Sequence, residues 1–408
     1  MNVLFILPQI PYPPHSGGRI VTWNTLKRFA RECSVSAVCL YHHPSELSAL
    51  ERVKEFCAEA AAFPAYGKWS LPPLAKTLVS AWPYKAHRFF NPDMAGYIQR
   101  LQRRRRFDVI HAQNFYTAAY VSGEEECLKI HYKENIEGLL LLQLARYSAN
   151  PLMKTCAYME GWRTKRYERL ACRKFERILS ISPLDCEELK RLDPSLPVFH
   201  QRPGVDLEDY PYLDEPEGPP ELIFTGTMSY YPNAFGALDF LRFAWPAVRR
   251  RIPGVRCSIV GASPPESLKR FDGVDGVRVT GRVERVGDYL RRALIYIVPL
   301  QIGGGIRLKI LEAMASGRAV VSTPAGCEGL DAKDGEHLFV AESWERFAEA
   351  ISEAVEDRCK RARLRENARA LMEAVYDWDK VIIRQMEEYR LLCSARWAAE
   401  ASSSPRGS

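Results

Sequence analysis

Between Gln301 and Gly317 the chain sets glycine, cation and carboxylate at spacings that suit an anion: Gln301-Ile-Gly-Gly-Gly-Ile-Arg-Leu-Lys-Ile-Leu-Glu-Ala-Met-Ala-Ser-Gly317. Gly303, Gly304 and Gly305 have no Cβ, so a ligand can approach their backbone closely. A helix behind them would offer unpaired N–H groups and the positive end of its dipole. Arg307 and Lys309 place two cations in the first turn, where the dipole disfavours them, and a bound anion would offset that cost. Lys309, Glu312 and Ser316 share one side of the helix. The pattern reads as a diphosphate site, with Glu312 available for sugar hydroxyls. A solvated surface turn accounts for the glycines alone, but not for Arg307, Lys309 and Glu312 beside them.

The flanking residues supply the elements that position this chemistry. Ala293–Leu300 is an apolar run of strand length, and Arg318–Thr323 is another. Between them Ile306, Ile310 and Met314 recur every four residues and form a buried face. Gly317 falls where a helix C-cap is expected. The order is strand, glycine turn, helix, strand.

The run GGGIRLKILEAMASGRAVVSTPAGCEGL resembles the nucleotide-sugar signature of the family 4 glycosyltransferases, the group 1 glycosyl transferases of two-domain B-type (GT-B) fold. The resemblance extends over most of the chain. It implies that Glu312 holds the ribose of the nucleotide. The usual signature has a second glutamate eight residues earlier, contacting the transferred sugar; here that position is Gly304. The resemblance further implies a donor site that includes Gly226, Arg282 and Val283 at the base, and Ile306 with the three glycines. It places the first loop, with Gly17 and Gly18, against the donor phosphates. Related enzymes put a histidine in a later loop, near the anomeric carbon. His131, Glu134, Asn135 and Glu137 are the candidates, and Asn-Ile-Glu137 resembles the family's Asn-Val-Glu, which puts Glu134 where histidine is usual. The implied reaction is transfer of a sugar from a UDP- or GDP-type donor to an acceptor hydroxyl, with retention, in cell-surface polysaccharide or glycolipid synthesis. Arg307 and Lys309 would stabilise the leaving diphosphate, and no cofactor beyond the donor is expected. Gly304 favours one rival reading, a non-catalytic nucleotide-sugar scaffold or sensor.

A chain of 408 residues exceeds one ordinary core, so two domains are expected. The fold class is α/β, with two doubly wound Rossmann-like domains facing a cleft. Residues 2–7 read as a buried strand, followed by a loop ending in Ser16-Gly-Gly18 and a helix from Arg19 to Arg31. Val35–Leu40 is a strand, and 46–59 a helix. Residues 60–100 are irregular and aromatic, read as a subcore or as an exposed surface for acceptor or membrane. Phe107–Gln113 and Leu128–Glu137 are strands running into loops, with His111 and Gln113 at the end of the first. Lys154–Phe175 is a charged helix. The first domain is expected over 1–210, with an interdomain linker over 207–219. The nucleotide-sugar domain spans 217–375 and includes a helix over 233–250. By resemblance a helix over 376–397 returns to the first domain; the tail, 398–408, has a disordered composition.

Composition narrows the function class. GxGxxG is absent, which argues against a nicotinamide oxidoreductase. The eleven cysteines lack CxxC or Cys/His spacing and read as reduced thiols. Asp377-Trp-Asp379 has the form of a metal-binding DxD, yet it precedes a helix, and Asp379 reads as a cap; no metal site is expected. No run approaches the ~18 apolar residues of a membrane span, and the apolar N-terminus lacks a basic n-region. A cytoplasmic protein is expected. Of the net charge of +7, residues 1–215 carry +5, with 29 Lys and Arg against 24 Asp and Glu. That excess fits either simple solubility or a glycan or lipid-linked acceptor with peripheral contact with an anionic membrane at the inner face of the cell membrane. Nucleic acid is not an expected partner. The four arginines Arg103–Arg106 read either as a solvated helix end or as a contact for lipid phosphates.

Overall fold

The computed structural model describes residues 1–67, 70–147, 150–302 and 306–403. The chain divides into two compact units, Met1–Arg202 with Ile382–Ser408, and Pro203–Val381. Each is a Rossmann-like α/β unit with one parallel sheet.

The first unit holds β1 (Asn2–Leu7), β2 (Ser34–Tyr41), β3 (Glu59–Pro64), β4 (Val109–Gln113), β5 (Leu128–Lys133), β6 (Arg177–Ser180) and β7 (Val198–His200). Their spatial order is β3-β2-β1-β4-β5-β6-β7. The runs Val3–Leu7 and Val109–Gln113 are buried throughout, as expected of strands covered on both faces. The strand order reverses between β1 and β4, and ligands of open α/β sheets gather at the carboxyl ends of such strands. Four helices matter below: α1 (Gly17–Glu32), α2 (Leu71–Val79), α3 (Glu137–Tyr147) and α4 (Pro151–Cys172). The aromatics of the irregular stretch mostly pack inward: Trp82 meets Phe90 and Tyr167, and Phe89 stacks on Tyr116. Trp69 lies outside the described residues. β3 was not expected; its sequence, EAAAFP, lacks the β-branched residues that announce a strand. The helix expected over 46–59 is correspondingly shorter, a 3₁₀ turn followed by Leu50–Lys54.

The second unit holds β8 (Glu221–Thr225), β9 (Arg256–Val260), β10 (Val277–Val279), β11 (Ile295–Val298), β12 (Ala319–Ser322) and β13 (Phe339–Val340), ordered β10-β9-β8-β11-β12-β13. Its reversal lies between β8 and β11. The glycine-rich stretch leads into α5 (Leu308–Ala315), and α6 (Arg358–Leu371) packs behind it. Gly317 adopts φ +66°, a left-handed cap that a side chain would strain. The helix expected over 233–250 is split into Tyr231–Asp239, a π-helical turn and Trp245–Arg251. Pro246 explains the break, because it has no N–H for the helical ladder and its ring crowds the carbonyl four residues back.

Residues 207–219, read as a linker, lie within the second unit and are clamped to it by arginines. Arg361 grips Glu215 with two bonds of 2.8 Å, and Arg365 adds an ion pair at 2.8 Å. Arg365, Arg318 and Arg369 donate to the carbonyls of Leu213, Asp214 and Tyr210. Arg361 beside it pulls the Glu215 carboxyl down to about 2. The last helix, α7 (Trp378–Ser403), begins at a cap that differs from expectation: Asp377, not Asp379, accepts the helix N–H, from Asp379 at 3.0 Å. Beyond Ile382 this helix belongs to the first unit, where Tyr389 reaches His111. Among the described residues, no helix is long and apolar enough to cross a membrane.

One buried ion pair organises the carboxyl ends of β4 and β5. Lys133 and Glu168 meet at 2.8 Å with almost no exposure, and Glu168 accepts the N–H groups of Glu137 and Gly138 at 3.1 and 3.0 Å. That carboxylate therefore caps α3 and neutralises Lys133 at once. Glu168→Ala would strand a buried ammonium and open the helix start. Urea denaturation should show a loss of roughly 3–5 kcal/mol, and the Lys133→Met/Glu168→Leu double variant should lose clearly less.

Candidate functional site

In the second unit the candidate residues converge at the β8/β11 reversal. Lys309, in the first turn of α5, donates to Asn233 Oδ1 at 2.7 Å and to the Thr225 carbonyl at 3.2 Å. Its ammonium also lies 4.2 Å from the centre of the Phe224 ring. Burial, reinforced by the nearby Arg307 guanidinium, holds the Lys309 ammonium well below its ordinary pKa, while Glu312 opposes that shift. Burial pushes the Glu312 carboxyl up, against the pull of a hydrogen bond from Tyr210 and the charge of Lys309. Tyr296, beneath the site, bonds Thr225 through its hydroxyl at 2.6 Å. Arg307 caps the helix rather than sitting within its first turn, which begins at Leu308.

Crossing turns make this floor. A Cβ on Gly261 would fall 1.7 Å from the Gly226 carbonyl oxygen, so only glycine fits there. A Cβ on Gly226 would meet the Asn233 amide at 2.7 Å and Lys309 Nζ at 3.2 Å. Gly261 donates to the Gly281 carbonyl at 3.1 Å, and Arg282 and Val283 follow in that turn, the first exposed and the second packed on the core. Ile306 turns its side chain into the core, which leaves only its backbone for a ligand. Gly303, Gly304 and Gly305 lie outside the described residues.

In the first unit the expected residues separate. His131 is not at a strand end but inside β5, 1% exposed, with its ring edge-on to Phe175 at 4.7 Å. Burial, then the neighbouring Lys133, keeps it well below the usual histidine pKa. It therefore lies in the core of the strand rather than in the loop where a residue near the anomeric carbon was expected. His111 is also inside its strand; it shares a 3.0 Å hydrogen bond with Tyr389, and burial lowers it to about 3. Glu137 is committed to structure, bonded by Lys85 at 2.7 Å and by the Tyr116 hydroxyl at 3.2 Å. Glu134 stands apart. It follows β5, accepts from Gln113 at the end of β4 at 3.2 Å, and lies against the start of α1. A Cβ on Gly18 would meet its carboxylate at 2.6 Å. Burial raises its pKa; the Gln113 bond resists this and Glu137 adds to it. The space above Gly18 and Gly17, expected to take a donor phosphate, is thus lined by a carboxylate, which a helix N-terminus favours.

This second-unit arrangement of turn, lysine and carboxylate coincides with a family match: residues 219–357 fit the model of the glycosyl transferases group 1. Over these residues the second unit is similar to a group 1 glycosyl transferase domain. Two curated relatives show how far the similarity runs. An uncharacterized 44.6 kDa protein of the Klebsiella pneumoniae cps region is 26% identical over 51% of this chain and 54% of its own length. The phosphatidyl-myo-inositol mannosyltransferase of Mycobacterium tuberculosis is 27% identical over 47% of this chain and 53% of its own length. The match thus spans about half the length of these relatives. Among solved structures, sucrose-phosphate synthase of Thermosynechococcus elongatus aligns over 97% of this chain and 100% of its own, with TM-score 0.70 and 15% identity. HepE of Anabaena, in complex with UDP, aligns over 95% and 99%, with TM-score 0.67 and 13% identity. These structures establish the two-domain fold.

Three polar partners of the group 1 domain were not singled out from sequence. Asn233 and Thr225 hold Lys309, and Tyr210 bonds Glu312. The only signal for Asn233 was its place at the start of the helix after the Gly226 turn. Tyr210 sat in a stretch read as linker. Gln113 was placed at a strand end, without its partner Glu134. The close approach of Glu134 to Gly18 is testable. Gly18→Ala should cost about 1–3 kcal/mol through overpacking. A double-mutant cycle with Glu134→Ala should recover part of that cost, with a coupling energy of about 0.5–3 kcal/mol; additive losses would separate the two groups.

Proposed function

We propose that the chain is a glycosyltransferase that moves a sugar from a nucleotide-sugar to a hydroxyl of a glycan or lipid-linked acceptor, with retention of configuration. The observation that carries this reading is the Lys309–Glu312 pair at the reversal of the second sheet, within the stretch that fits the family model. The UDP bound by HepE supports a nucleotide diphosphate donor. The mannosyltransferase and cps-region relatives support a product in glycolipid or surface polysaccharide.

In this reading Glu312 holds the ribose and Lys309 faces the diphosphate. The bond between the anomeric carbon and the diphosphate oxygen breaks, and its electron pair stays on that oxygen. The acceptor oxygen forms the new bond as its proton passes to the Glu134 carboxylate. Lys309 and Arg307 oppose the charge that grows on the leaving group, without a metal in that role. Asn233 and the Thr225 carbonyl fix the ammonium beforehand, so little reorganisation accompanies the step. Glu134 is the carboxylate of the first unit assigned to the acceptor hydroxyl. The rival scaffold reading rests on Gly304 in place of glutamate. Release of free nucleotide from UDP- or GDP-sugars separates the two: an enzyme releases it and a scaffold only binds.

Kinetics on single variants test the assigned roles. Lys309→Ala should lower kcat about a hundred- to a thousandfold, or ~2.7–4 kcal/mol, with a smaller loss of donor affinity. Glu312→Ala should instead weaken donor binding by roughly 1.5–3 kcal/mol. A raised KM with intact kcat in the lysine variant would mean uniform binding of donor and transition state and would remove Lys309 from its role.

Donor affinity should also be bell-shaped in pH. The ribose needs an ionised Glu312, so affinity falls as pH drops through its raised pKa. The diphosphate needs a charged Lys309, so affinity falls as pH rises through its lowered pKa. Calorimetry in two buffers should show proton uptake on the alkaline side, and Lys309→Met should flatten that limb while keeping the acid one.

A further inference from the structure

Three helices of the first unit leave large apolar side chains in solvent. On α2, Leu71, Leu78 and Val79 are 78%, 86% and 89% exposed. On α4, Leu152, Tyr158, Met159 and Trp162 are each more than half exposed. Leu152, Thr155, Met159, Trp162, Arg166 and Arg169 recur at helical spacing and form one stripe, opposite the buried Ala157, Thr164 and Ala171. Arg163 joins the helices, donating to the carbonyls of Thr77 and Ser80 at the end of α2. That contact sets Leu78 and Val79 beside the stripe. On its other side, between α3 and α4, an apolar groove of about 520 Å³ is lined by Leu142, Ala145, Tyr158 and Trp162, with Arg146 and Lys154 at its rim.

The charges on this face have one sign. The acids of the three helices are Glu137, Glu160 and Glu168. Glu137 and Glu168 are buried, and the half-buried Glu160 accepts from the Tyr84 amide. Lys76, Arg146, Lys154, Arg166 and Arg169 are exposed. Lys165 lies 5.5 Å from the centre of the Trp162 ring. Aliphatic tips, a Tyr/Trp pair and cations without exposed acids match an interface between acyl chains and anionic headgroups. A contiguous apolar patch left open on a folded unit marks an interaction surface.

We propose that the face made by α2, α3 and α4 docks on an anionic lipid bilayer, with Leu78, Val79, Met159 and Trp162 entering the interface and the surrounding cations meeting headgroup phosphates. The proposal deepens the acceptor reading above, but its test needs neither donor nor acceptor. The full chain is sedimented with phosphatidylcholine vesicles, with and without phosphatidylglycerol, at low and high salt. Anionic vesicles should bind it at least about tenfold more tightly than neutral ones, and high salt should weaken the binding. Leu78→Ser/Val79→Ser and Lys154→Glu/Arg166→Glu should each abolish most of it. All four positions are exposed, so folding is not at stake, and nucleotide-sugar binding by the same variants should stay as in the parent. Equal binding to neutral vesicles, or variants that bind like the parent, would overturn the proposal. So would a lack of vesicle binding together with self-association that Leu78→Ser/Val79→Ser abolishes, which would assign the face to a second copy of the chain.

Discussion

The second unit depends on accommodating a buried lysine where water is scarce. Lys309 sits over an aromatic ring, with a guanidinium nearby, and both burial and that neighbour disfavour its charge. Protein acceptors must therefore replace lost water, and Asn233 and the Thr225 carbonyl do so. Their placement in turn requires the sharp turn at Gly226, where a side chain would displace both the amide and the ammonium. The Gly226 turn can form only because Gly261 crosses it with no Cβ. The Lys309 amine is thereby held in one position by acceptors of the protein itself.

The first unit uses the same sheet order for the opposite charge. At its reversal the start of α1 faces Glu134, held by Gln113 from the adjacent strand. A helix start favours a carboxylate, while burial and Glu137 raise its proton affinity. The pKa of the Glu134 carboxyl is thus raised by burial and by Glu137, against the pull of the Gln113 hydrogen bond. Glu137, only three residues on, is bonded instead by Lys85 and Tyr116. The two neighbouring carboxylates thus differ in their partners: Glu137 meets Lys85 and Tyr116, and Glu134 meets Gln113.

What could be read from the sequence follows from how local each signal is. The α5 stretch was legible because glycine turn, apolar period and C-cap all lie within seventeen residues, and Gly317 adopts the left-handed conformation its position demanded. Both parallel sheets were legible from their buried apolar runs. His131 misled because a strand's polar residue signals a strand end only if the strand stops there; β5 runs on to Lys133, which a sequence of alternating polar and apolar residues does not reveal. The Lys133–Glu168 pair was not legible either, since the two residues lie thirty-five positions apart. Tyr210 was hidden by composition: Glu, Asp, Pro and Gly mark a linker only when nothing binds them.

That segment shows how structure distant from the ligand can set its binding. Four arginines, 318, 361, 365 and 369, fix residues 210–215 through Glu215 and three backbone carbonyls. Arg318 and Arg361 are almost fully buried, and each further guanidinium donor left without an acceptor there is costly. The segment cannot leave without exposing those unsatisfied donors to a dry interior. Its position is therefore as firm as the core behind it, and Tyr210 is carried to Glu312 by that firmness rather than by any helix or strand of its own. Burial alone would drive Glu312 toward its neutral form; the Tyr210 hydroxyl and the Lys309 charge both pull it back toward the anion. The surroundings of the Glu312 carboxyl thus depend in part on a loop held from behind by arginines.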